Sequence, residues 1–464
     1  MKISKSSHIL LLVLLLLGVL VLASWKFKKD VVEMQQKEEL FKEVYAFGFP
    51  IVLMDYTKRY FLNQFEDNAI NTFHHYHRFP DWEFRNVVRP NVDTFYSMCW
   101  LDLSDEPVVV HIPASDHYFL MPTMDAFSNV FASPGTRTTG NKDQFIVYTG
   151  PNWEGELPKG MIHISSPTNS AWIHGRIMVK QSQKDKDEVI KFQKGITARP
   201  LSQWDNQDYT PKKEMVLYKA NTYPIKAVEE LNIEQFMNRL SMLLYQNKPL
   251  DSDSTMLSKL KEIGFQAGQN YDITKLSVKE TIVFESVPKQ MQSEWYSENN
   301  TCQKFPWLYS NSVIKKYKDK YSSRAYVAFT RLGMNQREDA IYAATRIDSR
   351  GKVLTSKRKY VLHFTKEQLP QVNAFWSLTC YNEKNFLVKN LINRYKVGSQ
   401  DGLKFNEDGS LDIYIQSTKP EVGAESNWLP TPEKGRFSLI LREYWPKDKV
   451  LENGNNLPKV TRRN

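Results

Sequence analysis

Cysteine is scarce, with only Cys99, Cys302 and Cys380 among 464 residues. An odd count that low excludes a disulfide framework and any four-cysteine zinc site, although one disulfide stays open. Cys99 and Cys380 sit in aromatic, strand-like runs and read as buried thiols. The short catalytic motifs are missing too. There is no glycine-rich phosphate loop, no Gly-x-Ser-x-Gly elbow, no zinc-protease helix motif and no Cys–His pairing at a recognisable spacing. That argues against nucleotide enzymes and the common hydrolases and implies no cofactor, but leaves room for a β-fold enzyme whose residues converge from distant strands. No low-complexity tract and no fixed-period repeat is present. Charge of one sign is not concentrated: 62 basic residues face 52 acidic ones, for a net +10. The densest basic runs, Lys315, Lys316, Lys318 and Lys320, then Lys357, Arg358 and Lys359, lie on no nucleic-acid motif and read as solvated faces or hairpin edges. No nucleic-acid partner is expected.

What is present begins with a hydrophobic run. Lys2 and Lys5 precede unbroken apolar sequence from Ile9 to Ala23, which closes on Trp25, Lys26, Lys28 and Lys29. As a helix, Ile9 to Trp25 spans roughly 26 Å, slightly under the ~30 Å hydrocarbon core. Val21-Leu22-Ala23 suits signal-peptide cleavage, whereas the Leu-rich core and its Trp–Lys border suit an uncleaved anchor. Both predict a chain tethered to a membrane or exported to a periplasmic or extracellular space.

Beyond it the side-chain rhythm changes twice. From Gln35 to Leu62 it is helical, with Leu40, Val44 and Phe47 on one face, and Pro50 is expected to split it into two short helices. From Val87 to Val179 it alternates: Tyr96, Met98 and Trp100 against Ser97, Cys99 and Leu101, with further strand-like runs at Val108–Ile112, Tyr118–Met121, Phe145–Tyr148, Met161–Ile164 and Trp172–Val179. The middle returns to helix. Asn232 with Gln235 caps a stripe of Ile233, Phe236, Met237, Leu240, Leu243 and Leu244. Met256, Leu257, Leu260 and Ile263 form another, stopped by Gly264, and Ser277 with Glu280 opens a third. Strands resume at Ala325–Phe329, Ala340–Ile347, Tyr360–Phe364 and Phe437–Tyr444. Asn406-Glu407-Asp408-Gly409 reads as a hairpin turn between Leu403, Phe405 and Leu411, Ile413, Ile415. From Pro446 the tail is polar and expected to be extended. The fold class is mainly β with helical connections (α+β): two β-sandwich, jelly-roll-like or barrel domains plus an N-terminal hydrophobic helix. The expected division is 1–30 leader or anchor, 31–70 helical lead-in, 71–205 first β domain, 206–320 helical connection and 321–464 second β domain.

Arg89-Pro90-Asn91-Val92-Asp93-Thr94-Phe95-Tyr96-Ser97, then Phe131 to Arg137, Ser166-Pro167-Thr168 and Trp172-Ile173-His174-Gly175-Arg176, follow at distances that resemble the bacterial domain-of-unknown-function 1254 family. Leu362-His363-Phe364, Ala374 to Thr379, Arg394-Tyr395, Asp408 to Leu411, Asn427 to Pro430 and Leu441 to Pro446 resemble its usual companion, domain of unknown function 1214. The resemblance implies export and two β-barrel or jelly-roll-like domains with helical connections, and assigns no activity. His174 departs from the family's commoner aliphatic residue and gains no catalytic role from it.

Several groups carry potential chemistry. Arg89, Asn91, Asp93 and Tyr96 sit where a proline-stiffened loop enters a strand, with Pro90 expected to hold Arg89 extended. A carboxylate beside an amide and a phenol suits polyol binding or general acid–base work, and equally suits a structural Arg–Asp pair closing the strand entry. Arg137 and Arg176 would add a two-point anion clamp, or pair with buried carboxylates such as Asp125. His74, His75 and His77 lack an acidic partner, so no metal is expected. Trp376, Tyr381, Trp428 and Trp445 with Asn427 and Arg442 suit either sugar faces or a sandwich core with its indoles satisfied. Three functions follow: an exported binder of a small molecule or glycan, an exported hydrolase or lyase using Asp93, or a structural envelope protein acting as a homo-oligomer.

Overall fold

The computed structural model describes residues 5–66, 69–85, 88–211, 222–299, 306–309 and 320–463. Alternation in the first β region produces β1 (His74–Tyr76), β2 (Thr94–Asp102), β3 (Val108–Ile112), β4 (Phe119–Leu120), β5 (Thr123–Asp125), β6 (Val130–Ala132), β7 (Gln144–Thr149), β8 (Ile162–Ser165), β9 (Ser170–Met178) and β10 (Thr197–Pro200). They form two sheets, β1-β2-β9-β5-β6 with β4 also on β9, and β10-β3-β7-β8. Phe95, Cys99, Ile173 and Ile177 from one sheet meet Val108, Val110, Ile146 and Tyr148 from the other in a single buried core. The helix α1 (Lys5–Leu62) precedes this unit, and α2 (Gln183–Gly195), which the sequence reading missed, docks Val189 and Phe192 on that core. Its pattern is mostly charged, so periodicity hid it.

The second β unit repeats the plan. Its strands are β11 (Leu308–Tyr309), β12 (Ala340–Thr345), β13 (Tyr360–Phe364), β14 (Val372–Asn382), β15 (Lys396–Gly398), β16 (Leu411–Gln416), β17 (Trp428–Pro430), β18 (Phe437–Pro446) and β19 (Thr461–Arg462). The sheets β11-β12-β18-β14-β15 and β17-β16-β13-β19 enclose Leu362, Leu378, Cys380, Ile413, Leu439 and Leu441. Both units are open sandwiches; none of the four described sheets closes into a barrel. Cys99 and Cys380 are free and fully buried, with burial pushing both thiols up, and Cys302 lies outside the described residues. Lys315, Lys316 and Lys318 lie outside them as well, while Lys357, Arg358 and Lys359 are exposed ahead of β13.

The helices form a third core. α3 (Pro224–Glu229), α4 (Ile233–Gln246), α5 (Ser254–Glu262), α6 (Val278–Asn299) and α7 (Lys320–Arg331) surround the C-terminal half of α1. The expected break at Pro50 does not occur, and α1 runs through it. A proline inside a helix removes one hydrogen bond and costs ~3 kcal/mol. Here the residues around it, Phe47, Phe49, Ile51, Val52 and Leu53, are all buried, and that packing outweighs the defect. Gly48 contributes, because a Cβ there would stand 2.8 Å from Leu240 Cδ2 of α4. The segment read as a lead-in is therefore the centre of the helical core.

Three other expectations are corrected. Ala325–Phe329 is helix, not strand: Ala325, Tyr326, Ala328 and Phe329 are buried at helical spacing, and a five-residue apolar run does not distinguish the two periods. The Asn406–Gly409 turn forms, with Gly409 at φ +79, but Leu403–Phe405 is no strand, because β13 and β17 already occupy both edges of β16. The tail is not simply extended: α8 (Asp448–Asn453) follows β18, and β19 then pairs with β13. The Asn232–Gln235 capping box and the Ser277–Glu280 pair form as expected, and Gly264, at φ +76, follows α5.

Among the described residues no helix is long and apolar enough to cross a membrane. The described side chains take in the hydrophobic run only from Leu14. From there to Phe27 α1 stands clear of the globule, with Leu14–Leu17 and Val19–Leu22 each more than half exposed.

Buried in β18, Glu443 accepts hydrogen bonds from Asn455 Nδ2 at 2.5 and 2.6 Å, yet burial lifts its carboxyl to about 7. The unfolded chain releases this proton near pH 4.5 and the folded chain near 7. This group's stabilisation is thus complete below about pH 4.5 and lost as pH rises through 7, by on the order of 3 kcal/mol. Glu443→Gln should flatten that part of the stability–pH curve in urea titrations.

Candidate functional site

Register places the site. On the first sheet Tyr96 lies opposite Arg176, Met98 opposite His174 and Trp100 opposite Trp172. These side chains share one face, and their rings stack in series: Trp100 on Trp172 (4.9 Å), Trp172 on His174 (4.6 Å) and His174 on Tyr96 (5.1 Å). The Arg176 guanidinium completes the row 5.6 Å from the Tyr96 ring centre. Burial, then the Arg176 charge, hold His174 well below the usual histidine range, so a neutral imidazole sits beside the guanidinium. Gly333, at φ +81, passes close over that imidazole, and a Cβ there would meet His174 Nδ1 at 2.5 Å.

Arg176 is only 6% exposed. It donates to Asn335 Oδ1 and, at 2.6 Å, to the Gly333 carbonyl, and Asn335 in turn donates to the Tyr342 hydroxyl at 2.9 Å. Among the described residues no carboxylate pairs with it. Burial opposes its charge, yet the phenols of Tyr96, Tyr342 and Tyr444 outweigh burial and hold it protonated.

The remaining sequence candidates come to the same seam between the two β units. Asn91 donates to the Tyr444 hydroxyl at 3.0 Å and to Thr94 at 2.9 Å. Asp93 is 2% exposed: Ser377 donates to one oxygen at 2.7 Å, and Lys396 stands 3.6 Å from the other while pairing Asp401 at 3.0 Å. Arg89 is not extended as expected but has φ +53. Its N–H donates to the Asn385 carbonyl at 2.7 Å, its side chain to Asn385 Oδ1 at 3.2 Å, and its carbonyl accepts from Arg442 at 3.2 Å. Those bonds across the seam hold a left-handed backbone that costs roughly 1–2 kcal/mol in a non-glycine residue. Arg442 also donates to Tyr381 at 2.7 Å and Thr379 at 3.0 Å. Burial, then the like charges of Arg346 and Arg331, bring Arg89 down to about 10.

Arg137 closes the far end of the seam on Asp339, not Asp125, at 2.7 Å. Asp125 instead accepts from the Phe127 and Asn129 backbone and from the Asn129 amide. The other oxygen of Asp339 and the hydroxyl of Tyr118 are both buried without a hydrogen-bond partner among the described residues. Burial and the nearby Asp339 charge raise the Tyr118 phenol. Tyr118, Leu120, Ala340, Phe375 and Tyr444 pack together as an apolar cluster at the seam.

Other sequence candidates lie elsewhere. His74 bonds the Ala69 carbonyl, His75 bonds Ser97 and His77 bonds Gln193, so the three rings point to different partners. Burial lowers His75 to about 4. Among the described residues His117, Asp185 and Glu188 bring possible ligand atoms within 4.8 Å of one another. Asp185 is already engaged there by the Lys180 N–H at 2.6 Å and by His117 at 3.3 Å. The aromatic set of the second unit divides. Trp376 is core, Trp428 donates to the Gln416 carbonyl and Asn427 to two carbonyls, whereas Tyr381, Arg442 and Trp445 reach the seam. Sequence reasoning missed Tyr118, Asn335, Asp339, Tyr342, Ser377, Lys396 and Tyr444. Tyr444 was visible as the end of the strand run Phe437–Tyr444 and within Leu441 to Pro446, but not as a site residue.

The family described as Protein of unknown function (DUF1254) matches residues 70–200, and Protein of unknown function (DUF1214) matches residues 339–448. The first β unit thus matches the one family and the second β unit the other. The solved VPA0106 protein from Vibrio parahaemolyticus shares the fold, with TM-score 0.71 and 23% identity over 92% of this chain and 100% of that one. A Burkholderia cenocepacia protein aligns at TM-score 0.43 and 11% identity over 95% of this chain and 97% of that one. No curated protein matches. All six sequence candidates fall in the DUF1254 segment. Asp339, Tyr342, Ser377, Tyr381, Lys396, Arg442 and Tyr444 fall in the DUF1214 segment. The seam is thus where the two families meet, and each supplies charges that the other buries.

Proposed function

We propose that the protein is an exported or membrane-tethered binding protein that holds a small anion carrying a hydroxyl group, such as a hydroxy acid, in the tyrosine–arginine seam. The observation that carries this reading is Arg176, a buried guanidinium ringed by phenols and with no carboxylate partner among the described residues. An unpaired buried charge is costly, and an anion accepting two parallel N–H bonds offsets it. A ligand hydroxyl would donate to the vacant Asp339 oxygen while its anionic group accepts from Tyr118. Tethering rests on the apolar run Ile9–Ala23, its Trp25–Lys29 border and the exposure of α1 from Leu14 to Phe27. A helix apolar all round has no place in water. A reaction at Asp93 finds less support, because the carboxylate is 2% exposed, with Ser377 bonded to one oxygen and the Lys396 charge 3.6 Å from the other.

Thermal-shift titrations with lactate, malate, citrate and phosphate test this against chloride at equal ionic strength. A ligand at one hundred times its Kd stabilises by about 2.7 kcal/mol, a shift of several degrees. Arg176→Gln and Tyr342→Phe should each abolish most of it. Equal shifts in chloride, or an undiminished shift in both variants, would sink the reading.

A further inference from the structure

We propose a second binding site, for a neutral mono- or disaccharide, on the outer face of the β10-β3-β7 sheet. Alternation along these strands sends Val108, Val110, Ile112, Ile146 and Tyr148 into the core, and so turns Val109, His111, Phe145, Thr197 and Arg199 outward. An outward antiparallel face facing water is ordinarily polar. This one is aromatic. His111 stacks on Phe145 at 4.5 Å, and Trp204, from the turn after β10, meets Phe145 edge-on at 5.8 Å. Between them lies a cleft of about 330 Å³, completed by Gly195, Asp205 and Gln207. That is the lower end of the volume range of small-ligand sites, roughly 300–1,000 Å³.

The polar groups select the ligand. His111 Nε2 is held 2.8 Å from Asp143, Arg199 reaches back to the Trp204 carbonyl at 3.4 Å, and Asp205 and Gln207 are exposed at the rim. Two carboxylates and one guanidinium leave no strong field of either sign, which disfavours an anion and gives a cation a repulsive neighbour in Arg199. A pyranose matches both halves: its C–H face lies against the Trp204 and His111 rings, and its hydroxyls both donate and accept at the rim. None of these residues belongs to the tyrosine–arginine seam.

The test uses the full chain in a detergent without a sugar headgroup. Glucose, galactose, mannose and N-acetylglucosamine are titrated by saturation-transfer NMR and tryptophan fluorescence, with tetramethylammonium as the cationic probe. At least one sugar should bind with millimolar Kd or tighter. Trp204→Ala and Asp205→Ala should each weaken it tenfold or more without lowering Tm, since both side chains are partly or fully exposed, and Arg176→Gln should leave it unchanged. Absence of binding by all four sugars overturns the proposal. So does undiminished binding by Trp204→Ala, or binding of tetramethylammonium in preference to every sugar.

Discussion

Asp93→Ala is expected to destabilise the protein by about 3 kcal/mol or more, the scale for removing one member of a buried ion pair. The carboxylate lies in the DUF1254 segment, while Ser377 and Lys396, which engage it, lie in the DUF1214 segment. Its loss strands the Ser377 hydroxyl and removes one of the two anions around Lys396, leaving Asp401 alone. Neighbouring contacts across the seam, Asn91 to Tyr444 and Tyr381 to the Pro90 carbonyl, would loosen with it. Urea denaturation measures the change. Asp93→Asn, which keeps an acceptor for Ser377, should cost less than alanine. A variant as stable as wild type would show that Asp93 is no strut between the β units and would return it to the list of reactive groups.

Phe49→Ala should cost a comparable ~3–5 kcal/mol, as large-to-small changes of buried aromatics do. Phe49 is fully buried one residue before Pro50, and its ring meets Trp295 at 5.0 Å, Tyr45 at 5.8 Å and Phe329 at 5.9 Å. Those partners come from α6, α1 and α7, so one substitution loosens three helices. Deleting residues 1–30 should instead change stability by no more than ~0.5 kcal/mol, since the described side chains of that segment are exposed. Comparing the two in the same titration separates the halves of α1. A large loss from the deletion, or a negligible one from Phe49→Ala, would contradict the division of this helix into an exposed N-terminal part and a core element.

The rhythm of the sequence located about half of the described strands within a residue or two, among them Thr94–Asp102 and Ala340–Thr345, but not the eleven-residue Val372–Asn382. It failed where local signals conflict with packing. Pro50 carries a strong break signal that the surrounding core overrides. Ala325–Phe329 offers too few residues to tell one period from the other, and α2 buries too narrow a stripe to be seen. For the site, Arg89, Asn91, Asp93, Tyr96, Arg137 and Arg176 were legible as a polar group at a strand entry and on two later segments. Their partners were not. Asn91 and Tyr444 are 353 positions apart, Asp93 and Ser377 are 284 apart, and Arg137 and Asp339 are 202 apart.

The order of residues alone determined the apolar N-terminal run, two alternating regions separated by helices, the buried thiols and the two family matches, since each is a property of neighbours along the chain. Only the tertiary structure decided that α1 passes unbroken through a helical core, that Asp93 is buried against Ser377 and Lys396 while Arg176 meets no carboxylate among the described residues, and that an aromatic cleft opens on the outer sheet. Those outcomes depend on which distant side chain fills a given volume or meets a given charge. That is set when the two sandwiches and the helices pack against one another.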